Sequence, residues 1–220
     1  MKRRAFLRNA TTGLLTLSAA GSFANILLPR AKGQLGVALV GLGYYSTDLL
    51  APALQLTTQC KLTGIVTGTP AKAELWQQRH ELAGKNIYNY STFDTIANNP
   101  DIDVVYIVLP PSMHAEYTIR AANAGKHVWC EKPMAVSVAE CEAMINACRK
   151  NKVALSIGYR MHHEPNTQQI IRFAREKKYG AVRKVFAAAG YHEGRRDHWK
   201  QKRSMGGGAL MDMGVYSLNA

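Results

Sequence analysis

The stretch LGVALVGLGYYSTDLLAPAL, Leu35 to Leu54, decides the fold. An apolar strand pattern, Leu35 to Val40, runs straight into Gly41-Leu42-Gly43-Tyr44-Tyr45-Ser46, and a helix-like segment follows. Strand, glycine turn and helix in that order are the context a dinucleotide-binding fingerprint requires. Gly41 allows the tight turn, and Gly43 lets backbone N–H groups approach a pyrophosphate at the helix start. Ser46 replaces the third glycine, where a small residue keeps helix and strand close. A glycine pair after a strand is common, so the motif's weight depends on what comes next.

The next strand reads CKLTGIVTG, Cys60 to Gly68, and ends in Thr67-Gly68-Thr69-Pro70-Ala71-Lys72. An NAD-binding fold usually carries a carboxylate near this point, bonded to the ribose 2′-OH. None stands here. Hydroxyls with a nearby lysine suit a 2′-phosphate, which a carboxylate would repel, so NADP is favoured and NAD remains possible. The same residues would also serve a turn that needs Gly and Pro for backbone reasons alone.

Outward from there, a helical stretch spans Ala71 to Ala83, and DVVYIVLP, Asp103 to Pro110, is a continuous apolar run suited to a strand covered on both faces. SMHAEYTIRAANAGK fits a helix ending at Gly125, and HVWC, His127 to Cys130, is the next strand. Alternation of strand and helix predicts an α/β, doubly wound parallel sheet over residues 34–158. Ligands in such sheets sit beyond the carboxyl ends of the strands, where Pro110 to His114 and Glu131 to Pro133 fall. Ser137, three residues before Glu140, forms a capping box that starts the following helix, leaving Glu131, Lys132 and Pro133 in a short loop.

The chain of 220 residues can hold one full domain and part of another. Its four cysteines show neither CxxC spacing nor a dense pattern, which argues against a zinc ribbon or a disulfide scaffold and suits small core residues. His162, His163 and Glu164 are contiguous rather than at i, i+4, so no metal site is expected. Residues 1–33 hold Lys2, Arg3, Arg4, Arg8, Arg30 and Lys32 and no acid; removing those six from the net charge of +13 leaves +7. A balance of that size, without an aromatic-studded basic run, gives no reason to expect nucleic acid. The twin arginine, Phe6, Leu7 and the uncharged stretch from Asn9 to Pro29 resemble a twin-arginine export signal, which implies an exported, periplasmic protein that folds around a cofactor first. The stretch is also long enough to stay as a membrane anchor, though Thr, Ser, Gly and Asn dilute it. Ser18-Ala20 and Ser22-Ala24 are both candidate cleavage positions.

Gly41-x-Gly43, the AGKHVWCEKP block ending at Pro133 and GGGALMDMGVYSLNA from Gly206 onward resemble the glucose-fructose oxidoreductase/inositol dehydrogenase (Gfo/Idh/MocA) family. The resemblance runs from about residue 35 to the last residue and leans toward the glucose-fructose oxidoreductase branch. It implies the nucleotide-binding domain already read, then the beginning of an α+β domain, residues 159–220, built on an open, mainly antiparallel sheet used for substrate binding and homo-oligomerisation. The family continues well past Ala220, so most of that sheet is expected to lie beyond it. By position the family assigns catalysis to Lys132, Asp212 and Tyr216, the last standing where most members have histidine. Cofactor binding is expected from Gly41, Leu42, Gly43, Tyr44, Tyr45, Thr67, Gly68, Thr69, Lys72, Pro110, His114, Glu131, Lys132 and Arg160. Substrate is expected at Lys132, Arg160, Trp199, Asp212 and Tyr216, with His163 and Arg203 as further pocket candidates. Pro111 departs from the asparagine common there, which removes one cofactor hydrogen bond.

Chemistry gives those three residues roles. Oxidising a sugar carbinol needs a proton acceptor while hydride leaves for nicotinamide, and a phenol with a pKa near about 10 is a poor base at neutral pH. Lys132 is expected to lower Tyr216 and to stabilise developing alkoxide, with Asp212, at i, i+4 from Tyr216, orienting the lysine. The glycine triplet Gly206 to Gly208 is read as letting that helix start close to the ligand. The expected function is an NADP-dependent oxidoreductase of sugars or polyols, acting on an aldose C1 hydroxyl with NADP held tightly. The alternatives are an exported, NAD-retaining glycosidase of the same fold, which the missing acid and Tyr216 disfavour, and a non-catalytic nucleotide- or sugar-binding protein.

Overall fold

The computed structural model of the protein describes residues 33–219. The export-signal reading therefore falls, Gly33 apart, outside the described residues. Six strands form one sheet: β1 (Leu35–Val40), β2 (Cys60–Val66), β3 (Ile87–Tyr88), β4 (Val104–Ile107), β5 (His127–Cys130) and β6 (Leu155–Ile157). The order is β3-β2-β1-β4-β5-β6 and every neighbouring pair is parallel. This is the doubly wound sheet expected. The chain builds outward from β1 on one side and then returns to its other side with β4, so a crevice opens between their carboxyl ends.

β1 explains why the sheet is covered twice. Val37, Ala38, Leu39 and Val40 are all fully buried, as a parallel strand between two helix layers must be. Ala38 and Val40 join Val105, Ile107, Phe93, Ala121 and Met144 on one face. Leu39 joins Ile65, Ala51 and Trp76 on the other. The second face is covered by α1 (Ala51–Leu56), entered through a wide helical turn over Tyr45–Leu50, and by α2 (Pro70–His80); α3 (His114–Asn123) and α4 (Val138–Lys150) cover the first. α2 stops three residues short of the predicted end because Glu81 takes a left-handed conformation, φ 51°.

The capping box forms. Ser137 Oγ accepts the Glu140 N–H at 3.2 Å, and Glu140 reaches back to the Val136 N–H at 3.1 Å, one residue beyond the usual return contact. Among the cysteines, Cys130 and Cys148 are buried, Cys60 and Cys141 are half-buried, and all four are free thiols.

After β6 come a single turn (Arg160–His162), α5 (Pro165–Arg175) and α6 (Val215–Leu218), the last entered through a wide turn over Leu210–Gly214. Among the described residues no strand follows Ile157; an isolated bridge links Lys178 and Gly180. The expected antiparallel sheet therefore has no counterpart in 159–219. Glu164 caps α5 by accepting the Thr167 N–H at 2.7 Å, which gives it a structural task. No group of three or more potential metal ligands assembles among the described residues, and no helix there is long and apolar enough to cross a membrane.

Candidate active site

The fingerprint loop starts where β1 ends. Gly41 has φ +91°, and a Cβ on it would meet the Val108 carbonyl oxygen at 2.5 Å and Leu109 Cδ2 at 2.8 Å. Its backbone is thus pressed against the segment after β4, and Ser46 Oγ, buried, donates to the Gly41 carbonyl at 2.6 Å. Gly43 differs: a Cβ there would meet nothing within 4 Å. Internal packing therefore does not require that glycine, whereas a backbone-hugging ligand would. Lys72 Nζ donates to the Leu42 carbonyl at 3.2 Å, so the lysine after β2 lies beside this loop. Thr67 is buried, its hydroxyl accepting the Thr69 N–H at 3.3 Å, and a Cβ on Gly68 would stand 3.1 Å from the Tyr90 ring. An open backbone, a lysine and hydroxyls without a carboxylate fit a nicotinamide dinucleotide bearing a 2′-phosphate.

The second cluster forms beyond β5. The Lys132 side chain is only 12% exposed, and its Nζ lies 3.1 Å from Asp212 Oδ1 and also donates to the Asp212 main-chain oxygen. The same nitrogen sits 4.8 Å from the centre of the Tyr216 ring, with the Arg160 guanidinium 6.0 Å from it. Residues eighty positions apart therefore meet at one point. A cleft of about 290 Å³ opens beside them at the ends of β4, β5 and β6, lined by Tyr45, Tyr106, Trp129, Glu131, Arg160 and His163, among others. Tyr106 and Trp129, paired across β4 and β5, meet edge to face at 5.6 Å and form its floor.

Glu131 is the half-buried acid of this cleft. It accepts the Tyr106 O–H at 2.6 Å and the Lys132 backbone N–H at 3.3 Å. Burial pushes its carboxyl above the ordinary range, with those donors and the Lys132 charge opposing. Burial, then the Glu131 charge, lifts Tyr45 to about 12. Tyr216 is also raised, by burial first and the Glu131 charge next, with Arg160 opposing. The expectation that Lys132 lowers the phenol fails for a geometric reason: the lysine faces the ring rather than the hydroxyl. Asp212 goes the other way. Burial alone would raise it, but the Lys200 contact, the Lys132 charge and the Tyr191 hydroxyl hold it below the ordinary carboxylate range.

Other expected residues fall elsewhere. His114 is fully buried, with Nδ1 2.8 Å from the Pro133 carbonyl and Nε2 2.8 Å from the Leu109 carbonyl. It joins the loops after β4 and β5 from beneath and has no face for a cofactor, which corrects its placement as a ligand. Tyr44 is 69% exposed and makes no part of the cleft wall. Pro110 is half-buried and accepts the Met113 N–H at 2.9 Å, holding the turn into α3. Trp199 does not line the cleft; its ring lies 5.8 Å from Lys200 Nζ. Arg203 is exposed. Gly206 and Gly207 are explained by packing: a Cβ on Gly206 would meet Val136 Cγ1 at 2.6 Å and Pro111 Cβ at 2.7 Å, and one on Gly207 would collide with the Lys200 carbonyl, whereas Gly208 has open space and is glycine for its φ of +117°. Pro111, buried under Gly206, thus supplies a contact where an asparagine would supply a hydrogen bond. Sequence reasoning missed Tyr106, Tyr191 and Lys200, which support Glu131 and Asp212.

Comparison with known proteins identifies the family. The model of the GFO_IDH_MocA oxidoreductase family, NAD-binding Rossmann fold, matches residues 35–159. The chain belongs to the Gfo/Idh/MocA family. Among its relatives in this family, D-xylose 1-dehydrogenase [NADP(+)] of Haloarcula marismortui is 30% identical over 189 residues, 83% of this chain and 52% of that protein. An NADP(+)-dependent scyllo-inositol 2-dehydrogenase of Bacillus subtilis is 28% identical over 188 residues, 82% of this chain and 55% of that protein. The crystal structure of aldose-aldose oxidoreductase from Caulobacter crescentus, complexed with glycerol, superposes with a TM-score of 0.82 at 43% identity, covering 84% of this chain and 56% of that one. The chain thus spans about half the length of the Gfo/Idh/MocA proteins it matches.

Proposed function

We propose that this protein is an NADP-dependent oxidoreductase that oxidises a carbinol of a sugar or polyol, an aldose C1 hydroxyl first among them. The observation that carries the reading is the meeting of Lys132, Asp212 and Tyr216 beside a cleft at the carboxyl ends of β4 to β6. The names of the relatives, two of them NADP-linked dehydrogenases of a sugar and an inositol, support the same class. NADP, when bound, supplies the hydride acceptor. Its holders on this chain are the Gly41–Gly43 loop, Thr67, Thr69 and Lys72 toward the phosphates, and Glu131 with Arg160 toward the cleft.

The chain's own residues do the rest. Two contacts of Lys132 Nζ go to Asp212, which aims the remaining capacity of that nitrogen at the reacting oxygen, where it stabilises developing negative charge. Tyr216, kept as a neutral phenol, serves as a hydrogen-bond partner to the sugar oxygen rather than as a phenolate base, so the carbinol proton passes to water in the cleft as the hydride leaves for NADP. Trp129 and Tyr106 offer aromatic faces on which a sugar ring stacks. In the same reading residues 1–33 direct export after NADP has been loaded, and replacing Arg3 and Arg4 by lysine retains the protein in the cytoplasm.

The purified protein should bind NADP more tightly than NAD, and should form reduced nicotinamide with at least one member of a panel of aldoses and inositols. Lys132→Ala should lower turnover by roughly 100-fold or more while NADP affinity is kept. Cleavage of aryl glycosides without net reduction of nicotinamide would replace this reading by the glycosidase. NADP binding with no turnover on any member would leave a sensing module.

A further inference from the structure

Asp212 is shared by two lysines. Lys132 holds Oδ1 at 3.1 Å, and Lys200 Nζ lies 3.0 Å from Oδ2. The Tyr191 hydroxyl donates to the same Oδ2 at 2.9 Å and accepts from Lys200 Nζ at 2.9 Å, so lysine, phenol and carboxylate close a triangle. The exposure of the Asp212 side chain is 12% and of Lys200 27%, which sets the pair apart from a solvated surface bridge.

The backbone is built around this triangle. The Gly208 N–H donates to the Lys200 carbonyl at 2.7 Å, while the Gly208 carbonyl accepts the Asp212 N–H at 2.9 Å. One glycine therefore sets the Lys200 turn and the Asp212 turn against each other, and Gly207 has no room for a side chain because the Lys200 carbonyl is there. A carboxylate bound by Lys132 alone could rotate and offer either oxygen. Two donors on Oδ2 remove that freedom, and Oδ1 stays on Lys132.

We infer that Lys200 and Tyr191 are positioning residues: they fix the Asp212 carboxylate so that Lys132 is held over the Tyr216 ring and toward the cleft. The inference deepens the proposed oxidoreductase and rests on it for its catalytic meaning, but its geometry can be tested without turnover. Competitive acetylation of the folded protein with acetic anhydride, followed by peptide mass spectrometry, reads the reactivity of each lysine. In Lys200→Met and Tyr191→Phe, Lys132 labelling should rise about five-fold, the effect of losing one net hydrogen bond, with lysines other than 132 and 200 unchanged. Lys200→Arg, which can still donate to Oδ2, should label like the parent. Unchanged Lys132 labelling, or a uniform rise across all lysines, overturns the inference. In the activity arm, both variants should lower kcat about ten-fold with the KM for NADP unmoved, and Lys200→Arg should restore it. An inactive parent would count against the oxidoreductase alone, since the labelling result stands by itself.

Discussion

Gly41 and Gly43 share a motif, and the structure gives them opposite reasons for being glycine. Alanine at 41 must keep φ +91° or abandon the turn, and its Cβ would sit 2.5 Å from the Val108 oxygen and 2.8 Å from Leu109 Cδ2. The left-handed conformation costs about 1–2 kcal/mol for a residue with a side chain, and forcing a methyl into a packed contact costs about 1–3 kcal/mol more. Gly41→Ala should therefore lose about 2–5 kcal/mol of stability, a fall in Tm on the order of 10 °C for a chain of this size. Alanine at 43 meets nothing within 4 Å, so Gly43→Ala should keep the parent's Tm within about 2 °C. Its methyl would stand where the dinucleotide backbone approaches, and NADP affinity should drop about ten-fold or more. Scanning calorimetry of the apo proteins with titration calorimetry of NADP separates the two effects. A stable Gly41→Ala, or a Gly43→Ala that binds NADP like the parent, would refute the division of labour between the two glycines.

Further outcomes follow from the charged groups. Glu131 is held above its ordinary value of 4.5 by burial, so the folded state binds its proton more tightly than the unfolded chain does. That contribution is full below the unfolded value and is lost as pH rises through the folded one; relative to Glu131→Gln, the parent should lose stability as pH rises above the ordinary value of 4.5 in urea titrations. Lys72→Met should weaken NADP about ten-fold while leaving NAD nearly unchanged, because the lysine lies beside the fingerprint loop at the end of β2, where the 2′-phosphate is expected; equal losses for both would remove it from that role. His114→Ala removes the ring N–H from between the Leu109 and Pro133 carbonyls, one of which loses its donor, and opens a buried gap, so it should cost about 2–5 kcal/mol by denaturant unfolding. Tyr216→Phe should reduce sugar oxidation by roughly 100-fold with NADP affinity retained, and an unaltered rate would exclude the phenol from the chemistry.

Where a local pattern was sufficient, the fold could be read directly. The apolar runs at β1 and β4 could belong only to strands covered on both faces, and Ser137 with Glu140 marked the start of α4. The site divided differently. Gly41, Gly43 and Lys72 lie within the βαβ unit that the fingerprint itself defines. Lys132 and Asp212, eighty residues apart, could be paired only through family resemblance, since nothing local couples them. Tyr106 read as one more apolar residue of a buried strand, and only the three-dimensional register shows its hydroxyl reaching Glu131. Tyr191 and Lys200 lie in a stretch with no periodic pattern, so their convergence on Asp212 left no sequence trace. His114 misled because a histidine after a strand end is placed where ligands bind, while its burial is a property of the loops above it.

The phenol of Tyr216 shows how a motif can name the right residue and the wrong electrostatics. Sequence spacing brings Asp212 and Tyr216 to one helical face, from which Lys132 as a neighbour suggests a lowered pKa. What matters is which part of the ring the cation faces. Lys132 lies over the π face, 4.8 Å from the centroid, where its attraction is to the ring quadrupole and orients both groups without favouring phenolate. The hydroxyl instead senses burial and the carboxylate of Glu131, both of which keep its proton on. Glu131 is in turn held by Tyr106 from the floor of the cleft. The acid of the Glu-Lys-Pro loop therefore works against the tyrosine as a base, while the lysine beside it fixes the tyrosine in place. Neutral phenol and oriented lysine then act on the sugar oxygen together, one by hydrogen bond and the other by charge.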